Sequence, residues 1–342
     1  MEGMIMYKII LAVIVFAVTL GAAAYMTWGE RKLASWFQDR IGPNRAGPLG
    51  LLQPIADGLK MIFKEEMIPT HSNKWLFICP SFFMLTACLT GAVIPWGSGF
   101  ESGGTVYPMQ IADINIGLLY LLGVVSIGVY GIMIGGWSSN NKFALLGALR
   151  ASSQMISYEV AMGLALIALV MMTGTLSLGE IAQQQDAGYA NVVYQPLGFL
   201  IFIICAFAET NRAPFDLPES ESELVGGYHT EYSSMKLGFF LFAEYINMFI
   251  SSAIMATLYF GGYNFPFQHE LGLEGNTLVI LQTAAFFIKI LIFIFVFMWV
   301  RWTLPRFRYD QLMNLGWKVL LPLAIANIFI TGLVMYFTGK LS

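Results

Sequence analysis

The sequence predicts an all-α, polytopic membrane protein, and three observations lead there. Hydrophobic residues make up 57 % of the 342 positions and charged residues only 11 %, more apolar surface than a soluble domain needs. Eight apolar stretches approach the roughly 20 residues that one bilayer crossing requires. Lysine and arginine gather in alternate connections between those stretches. In lipid, backbone polar groups must be satisfied internally, so the stretches are expected as helices of a single bundle.

The expected spans are 5–28, 75–96, 114–137, 152–173, 195–209, 237–260, 277–300 and 317–338. The first is too long for a signal peptide and runs into Trp28-Gly-Glu-Arg31, so it reads as a retained span. The fifth is short if it stops at Glu209. Arg31, Lys32, Arg40, Arg45, Lys60, Lys64 and Lys74 lie in the first connection, 29–74. Lys142 and Arg150 follow the third span, Arg212 and Lys236 the fifth, and Arg301, Arg306, Arg308 and Lys318 the seventh. The opposite connections carry none; Lys8 and Lys340 lie near the termini, and Lys289 lies inside a span. By the positive-inside rule the basic connections are cytoplasmic and both termini periplasmic. This pattern, without a transit peptide, suits a bacterial inner (plasma) membrane.

Composition also narrows the function. A net charge of -3 gives no reason to expect a nucleic-acid partner. Cys79, Cys88 and Cys205 form no Cys-x-x-Cys pair, and His71, His229 and His269 are scattered. These six read as core or loop residues, with no metal or iron–sulfur site.

The first connection holds two amphipathic pieces around the turn Gly42-Pro-Asn-Arg-Ala-Gly-Pro48. The second piece sets Leu51, Leu52, Ile55, Leu59 and Ile62 on one side at helical spacing, with Asp57, Lys60 and Lys64 off it. Such a helix suits the membrane interface. It is either a surface anchor or a rim where an amphipathic ligand enters from the lipid.

Three ionisable residues fall within or at the end of spans besides Lys289: Glu159, Glu209 and Glu244. A charge in the bilayer core costs at least about 2.5–3.5 kcal/mol, so such groups face the bundle interior and mark pairs or ion pathways. Lys289 could pair with one carboxylate but cannot neutralise three. The acids are expected along one buried hydrophilic path, entered from the stretch Glu209 to Gly227, which adds Asp216, Glu219, Glu221 and Glu223. In that stretch the acids alternate with Ser and Pro and are interleaved with Phe215, Leu217, Leu224 and Val225, as in a segment that docks on something.

Seven motifs carry a resemblance to a known family. They are Glu30-Arg-Lys, Asp39-Arg-Ile-Gly-Pro-Asn-Arg45, Gly50-Leu-Leu-Gln-Pro-Ile-Ala-Asp-Gly-Leu-Lys60, Ser157-Tyr-Glu159, the run Ala208 to Leu224, Ala243-Glu-Tyr245 and Arg301-Trp-Thr-Leu-Pro-Arg-Phe-Arg-Tyr-Asp-Gln311. Over essentially its whole length the chain resembles the H-subunit (subunit 1) family of respiratory complex I, the proton-pumping NADH:quinone oxidoreductase. Ser220 departs from the Gly or Ala more usual there. The resemblance implies an eight-helix subunit at the heel of the membrane arm that forms much of a quinone tunnel. It implies ubiquinone or menaquinone as substrate, with no covalently bound cofactor. FMN and iron–sulfur clusters would be held by partner subunits of the peripheral arm. Small membrane subunits, antiporter-like subunits and the lipid bilayer would be its other neighbours. It places Trp28, Glu30, Arg31, Arg40, Arg45, Asp57 and Lys60 along the quinone route, with Glu231, Glu244 and Arg301 further on. It sets Asp216, Glu219, Glu221 and Glu223 at the junction with the quinone cavity, and leads through Glu209, Glu159 and Glu244 toward the antiporter-like subunits; Lys289 is grouped with this path. A homologous membrane subunit of an energy-converting hydrogenase, or of a ferredoxin-, formate- or deazaflavin-linked complex, is the alternative reading. A stand-alone ion transporter and a purely structural anchor are further ones.

Overall fold

The computed structural model describes residues 2–338 apart from 187, 218–223, 267, 269 and 271–274, with Glu2 and Met84 described by backbone alone. Its helices are α1 (Glu2–Phe37), α2 (Gln53–Phe63), α3 (Lys74–Phe83), α4 (Gly117–Ser138), α5 (Lys142–Thr173), α6 (Leu178–Gln184), α7 (Asn191–Tyr194), α8 (Pro196–Glu209), α9 (Ser234–Tyr259), α10 (Asn276–Thr303) and α11 (Tyr309–Phe337). Seven helical segments among the described residues are long and apolar enough to cross a membrane, and α8 is a shorter apolar helix of 14 residues. The protein is an all-α polytopic membrane fold.

Several elements differ from the stretches expected. Helix α1 does not stop at residue 28 but runs unbroken to Phe37; Glu30 and Arg31 find ionic partners, which removes the cost of continuing the helix. The second span tightens after α3 into a 3-10 helix, Met84–Ala92. Pro80 has interrupted the α-helical ladder, and the Thr86 and Thr90 hydroxyls donate to carbonyls three residues back. Helix α11 passes through a π-helical turn at Leu315–Leu320. A small hairpin, β1 (Phe100–Ser102) and β2 (Thr105–Tyr107), stands between α3 and α4. Its register pairs Ser102 with Thr105 across Gly103 and Gly104, whose left-handed φ of 59° and 79° suits a two-residue turn.

Helix α5 lies centrally, against α4, α8 and α11. Its stripe of buried small residues, Ala144, Ala148, Ala151, Ala161, Ala165 and Ala168, lets neighbouring backbones approach closely. A close backbone approach is at Gly147, where a Cβ would stand 2.7 Å from the Tyr228 amide nitrogen and 2.8 Å from Gly227. One core cluster gathers Tyr158, Phe249, Tyr259 and Phe286. A second holds Phe77, Tyr228, Tyr232 and Phe240. There the Phe77 and Tyr232 rings stack at 4.2 Å, and the Tyr232 hydroxyl donates to the Phe77 carbonyl at 3.1 Å.

Away from the basic end, polar side chains close the end of α9. The Gln185 amide donates to the Thr257 and Leu258 carbonyls at 3.0 and 3.3 Å, and Asn191 donates to Leu258 at 2.8 Å. Carbonyls at a helix end have no intrahelical donor, and in a bilayer water does not supply one.

The Gly147 contact is made by backbone atoms that cannot move aside. Gly147→Val is expected to destabilise the protein by about 1–3 kcal/mol or more, read as a lower thermal aggregation midpoint in detergent. Gly163→Ala, where a Cβ meets nothing within 4 Å, should leave the midpoint unchanged or raise it. Equal behaviour of the two variants would contradict the close approach.

Candidate functional site

Four separate elements deliver charge to one point at the basic end of the bundle. Glu30 comes from α1, Arg212 from the turn after α8, Glu244 and Tyr245 from α9, and Arg301 from α10. The Arg212 Nη1 donates to Glu30 Oε2 at 2.7 Å, and its Nε lies 3.6 Å from Glu244 Oε2. Arg301 donates to the other oxygen of Glu30. The Arg212 guanidinium also sits 4.2 Å from the centre of the Tyr245 ring. Arg212 is 3 % exposed and Glu30 4 %. Burial alone would push the Arg212 guanidinium down, but Glu30, then Tyr245 and Glu244, outweigh it and hold it above its ordinary value.

The local backbone explains how Arg212 reaches that point. Helix α8 ends at Glu209, and the chain turns through Thr210 and Asn211, the latter in the left-handed region at φ 51°. The buried Gln154 amide of α5 holds the turn, donating to the Ala208 carbonyl at 2.8 Å and the Phe215 carbonyl at 2.9 Å. Further on, Arg306 donates to Asp216 at 2.6 Å, and the Phe307 amide donates to the Pro214 carbonyl at 3.0 Å.

Next to the charge cluster, α1 and α10 diverge and leave a cavity of about 380 Å³. Tyr25, Met26, Trp28, Gly29 and Leu33 line one wall, and Phe287, Ile290, Leu291, Ile294, Phe295 and Met298 the other. This slot is almost wholly apolar along its length. The charge cluster is close in sequence to the slot's lining: Glu30 follows Gly29, and Arg301 follows Met298 within one helical turn. The Trp28 indole donates to the Leu49 carbonyl at 3.2 Å, which joins α1 to the first connection. Arg31 and Asp57 form a 2.7 Å ion pair between α1 and α2. Helix α2 and the turn before it keep Leu51, Leu52, Ile55, Leu59 and Ile62 exposed and present them away from the bundle. Lys236 pairs with Glu66, and this hydrogen bond holds the exposed Glu66 carboxyl below its usual range.

The predicted residues do not form a single set. Trp28 lines the slot, Glu30, Glu244 and Arg301 join the charge cluster, and Arg31 and Asp57 clamp α2 to α1. Arg40, Arg45 and Lys60 lie on the first connection away from the cluster, with Arg40 donating to Gln38 at 2.7 Å. Glu231 stands elsewhere: Asn141, at the start of α5, donates to it at 2.7 Å, beside the second core cluster. Glu209 is 8 % exposed at the end of α8, and Glu159 is its electrostatic neighbour. Glu159 lines a second cavity of about 260 Å³ between α4 and α5, with Ser126, Leu122, Val125, Ile156, Val160 and Met162. Among the described residues neither carboxyl has an ion-pair partner. Glu219, Glu221 and Glu223 lie outside the described residues.

Two corrections concern charge pairing. Lys289 meets no carboxylate among the described residues; its ammonium is bound by backbone carbonyls of Phe260, Gly262 and Asn264. Glu244 is therefore neutralised not by Lys289 but by Arg212, a residue counted in the sequence only for topology. Arg212 and Tyr245 are the site residues that sequence reasoning missed. One signal was present: Arg212 is the cation set between Glu209 and Asp216, directly after an apolar run.

The chain is closely similar to known proteins over nearly its whole length. The family described as NADH dehydrogenase matches residues 9–332. The NADH-quinone oxidoreductase H subunit 1 of Cytophaga hutchinsonii is 68 % identical over 326 residues, covering 95 % of each chain. The NADH-quinone oxidoreductase H subunit of Flavobacterium johnsoniae is 60 % identical over 337 residues, covering 98 % of this chain and 96 % of that one. The corresponding protein of Salinibacter ruber is 48 % identical over 339 residues, covering 96 % of both. A match of this extent and identity establishes that the chain belongs to the H-subunit (subunit 1) family of respiratory complex I, the NADH-quinone oxidoreductases.

Proposed function

We propose that this chain houses quinone in the slot between α1 and α10 and couples its reduction to proton movement through the charge cluster. As a family member it is a multi-pass membrane subunit of NADH-quinone oxidoreductase, acts with other complex I subunits, and holds no complete active site alone. One observation carries the finer reading: an apolar cavity of about 380 Å³ is lined by Trp28 and Gly29, next in sequence to a buried Glu30 bridged by Arg212 and Arg301. An isoprenoid tail arriving from lipid exchanges one apolar surrounding for another in such a slot, and a polar head group gains by meeting directed donors beside it. The exposed apolar face of α2 and the cations Arg40, Arg45 and Lys60 form the rim that the quinone, ubiquinone or menaquinone, passes on its way in from the lipid. Electrons reach it from flavin and iron–sulfur clusters on peripheral-arm subunits. The basic end faces the bacterial cytoplasm and both termini the periplasm.

Chemistry at the head group changes local charge. Two-electron reduction needs two protons and transiently places negative charge beside the cluster. That charge competes with Glu30 and Glu244 for Arg212, so the guanidinium shifts and Glu244 loses part of its compensation. Asp216, tied to Arg306, feels the same repulsion, and Glu219, Glu221 and Glu223 follow it in the sequence. Reprotonation then passes to Glu209 and Glu159, which have no fixed cation among the described residues, and onward to the antiporter-like subunits. The link is a coupling free energy between quinone and proton sites.

Gly29 offers a direct test of the slot, because a Cβ there meets nothing within 4 Å. Gly29→Phe is expected to fill the cavity without disturbing the helix. It should raise the apparent KM for a long-tailed quinone about tenfold, equivalent to about 1.4 kcal/mol of lost binding. NADH oxidation by an artificial acceptor that draws electrons upstream should be unaffected; an unchanged KM would remove the slot from the quinone route.

Proton coupling is tested in reconstituted enzyme with Glu209→Gln, Glu219→Gln and Glu221→Gln. Each is expected to lower protons moved per electron or to slow quinone turnover, again sparing the upstream acceptor reaction. Near-normal turnover and pumping in all three would refute the role of these acids.

A further inference from the structure

The end of α9 contains a ligand site that the chain fills itself. Helix α9 stops at Tyr259, and Gly261 and Gly262 follow with left-handed φ of 74° and 54°. That pair turns the chain back, and the carbonyls of Phe260, Gly262 and Asn264 converge on one point facing α10. The Lys289 ammonium occupies it, donating to Phe260 at 2.6 Å, to Gly262 at 2.8 Å and to Asn264. An ammonium has three N–H donors and no acceptor, so its capacity is used completely. Three inward carbonyls at a helix C-terminus are a ligand set that replaces the hydration shell of a monovalent cation.

We propose that this carbonyl cradle is a monovalent-cation site, that Lys289 is its tethered occupant, and that the lysine is a fixed positioning charge rather than a proton carrier. A neutral amine would keep only two N–H groups and turn a lone pair toward a carbonyl oxygen. One carbonyl would then be left without a donor in a setting where water does not replace it. The charge is thereby retained, and it fixes the end of the helix whose other half carries Glu244 and Tyr245. Activity as a readout rests on the complex I reading, but the stability readout below does not.

The test uses assembled complex carrying Lys289→Ala, Lys289→Gln or Lys289→Met. Alanine removes the atoms of one n-propylammonium ion and leaves the cradle open. Glutamine is polar but neutral, and methionine fills the space without charge. All three are expected to lower the thermal midpoint and to reduce quinone turnover about tenfold, the scale of a stranded buried polar group. Protons moved per electron should stay at the wild-type value, because the lysine carries none of them. Added propylammonium or potassium should restore midpoint and turnover in Lys289→Ala, and in neither of the others. Wild-type midpoint in Lys289→Gln or Lys289→Met would overturn the proposal, as would a Lys289→Ala complex that no monovalent cation restores. A fall in protons per electron with quinone turnover preserved would return Lys289 to the proton path. If the midpoint falls and is restored while turnover never changes, the cradle stands and the positioning role of its charge is refuted.

Discussion

The basic end of the molecule depends on one guanidinium. Arg212 is placed between Glu30 and Glu244, which come from helices far apart in sequence, and it is almost completely shielded from water. Three isolated charges at that depth would each cost several kcal/mol; together, with Arg301 on the far side of Glu30, they compensate one another. The same contacts fix α1, the turn after α8, α9 and α10 relative to each other. A cavity can persist between α1 and α10 because the helices are tied just beyond it and need not collapse on it. Such an arrangement is also sensitive. Any new anion nearby changes a balance in which each partner is held only by the others.

At the other end of α9 the constraint is hydrogen bonding rather than charge. The helix ends where water cannot serve its last carbonyls, and Gln185, Asn191 and Lys289 supply donors from three other elements. Helix α9 is thus gripped at both ends by long-range contacts, while its middle, including Phe249, Ala253 and Ala256, is buried in the main core. Its position is not set by its own propensity. Both grips must release before it can shift.

Much of this architecture could be read from residue patterns because the bilayer simplifies the code. Apolar runs had to be helices, and the lysines and arginines gave them a consistent sidedness. Local signals also existed for what was overlooked: Gly103-Gly104 between short β-prone runs signals a hairpin, and Pro80 signals a disturbed helix. The site was less legible for a different reason. Arg212 and Glu30 are separated by 182 positions, and no periodicity links them, so an arginine that compensates buried acids looked like one that sets topology. Lys289 is a different case. Its sequence setting left a carboxylate partner and a place on the proton path both open, whereas its partners are backbone carbonyls, which carry no signature in side-chain identity. The resemblance sets Glu231 on the quinone route, and only the fold assigns it to Asn141.

The continuity of α1 has a geometric consequence. Its 36 residues make a rod of about 54 Å at 1.5 Å per residue, against a hydrocarbon core of about 30 Å. The slot wall from Ala22 to Leu33 and the charged Glu30 lie on that one rod, with no joint between them. The rod therefore acts as a ruler: the spacing between each wall residue and Glu30 is a fixed length, indifferent to how the connecting loops rearrange. Under the quinone reading proposed above, a molecule that touches both at once is measured along its own axis, so reach, as well as head-group chemistry, becomes a criterion for admission.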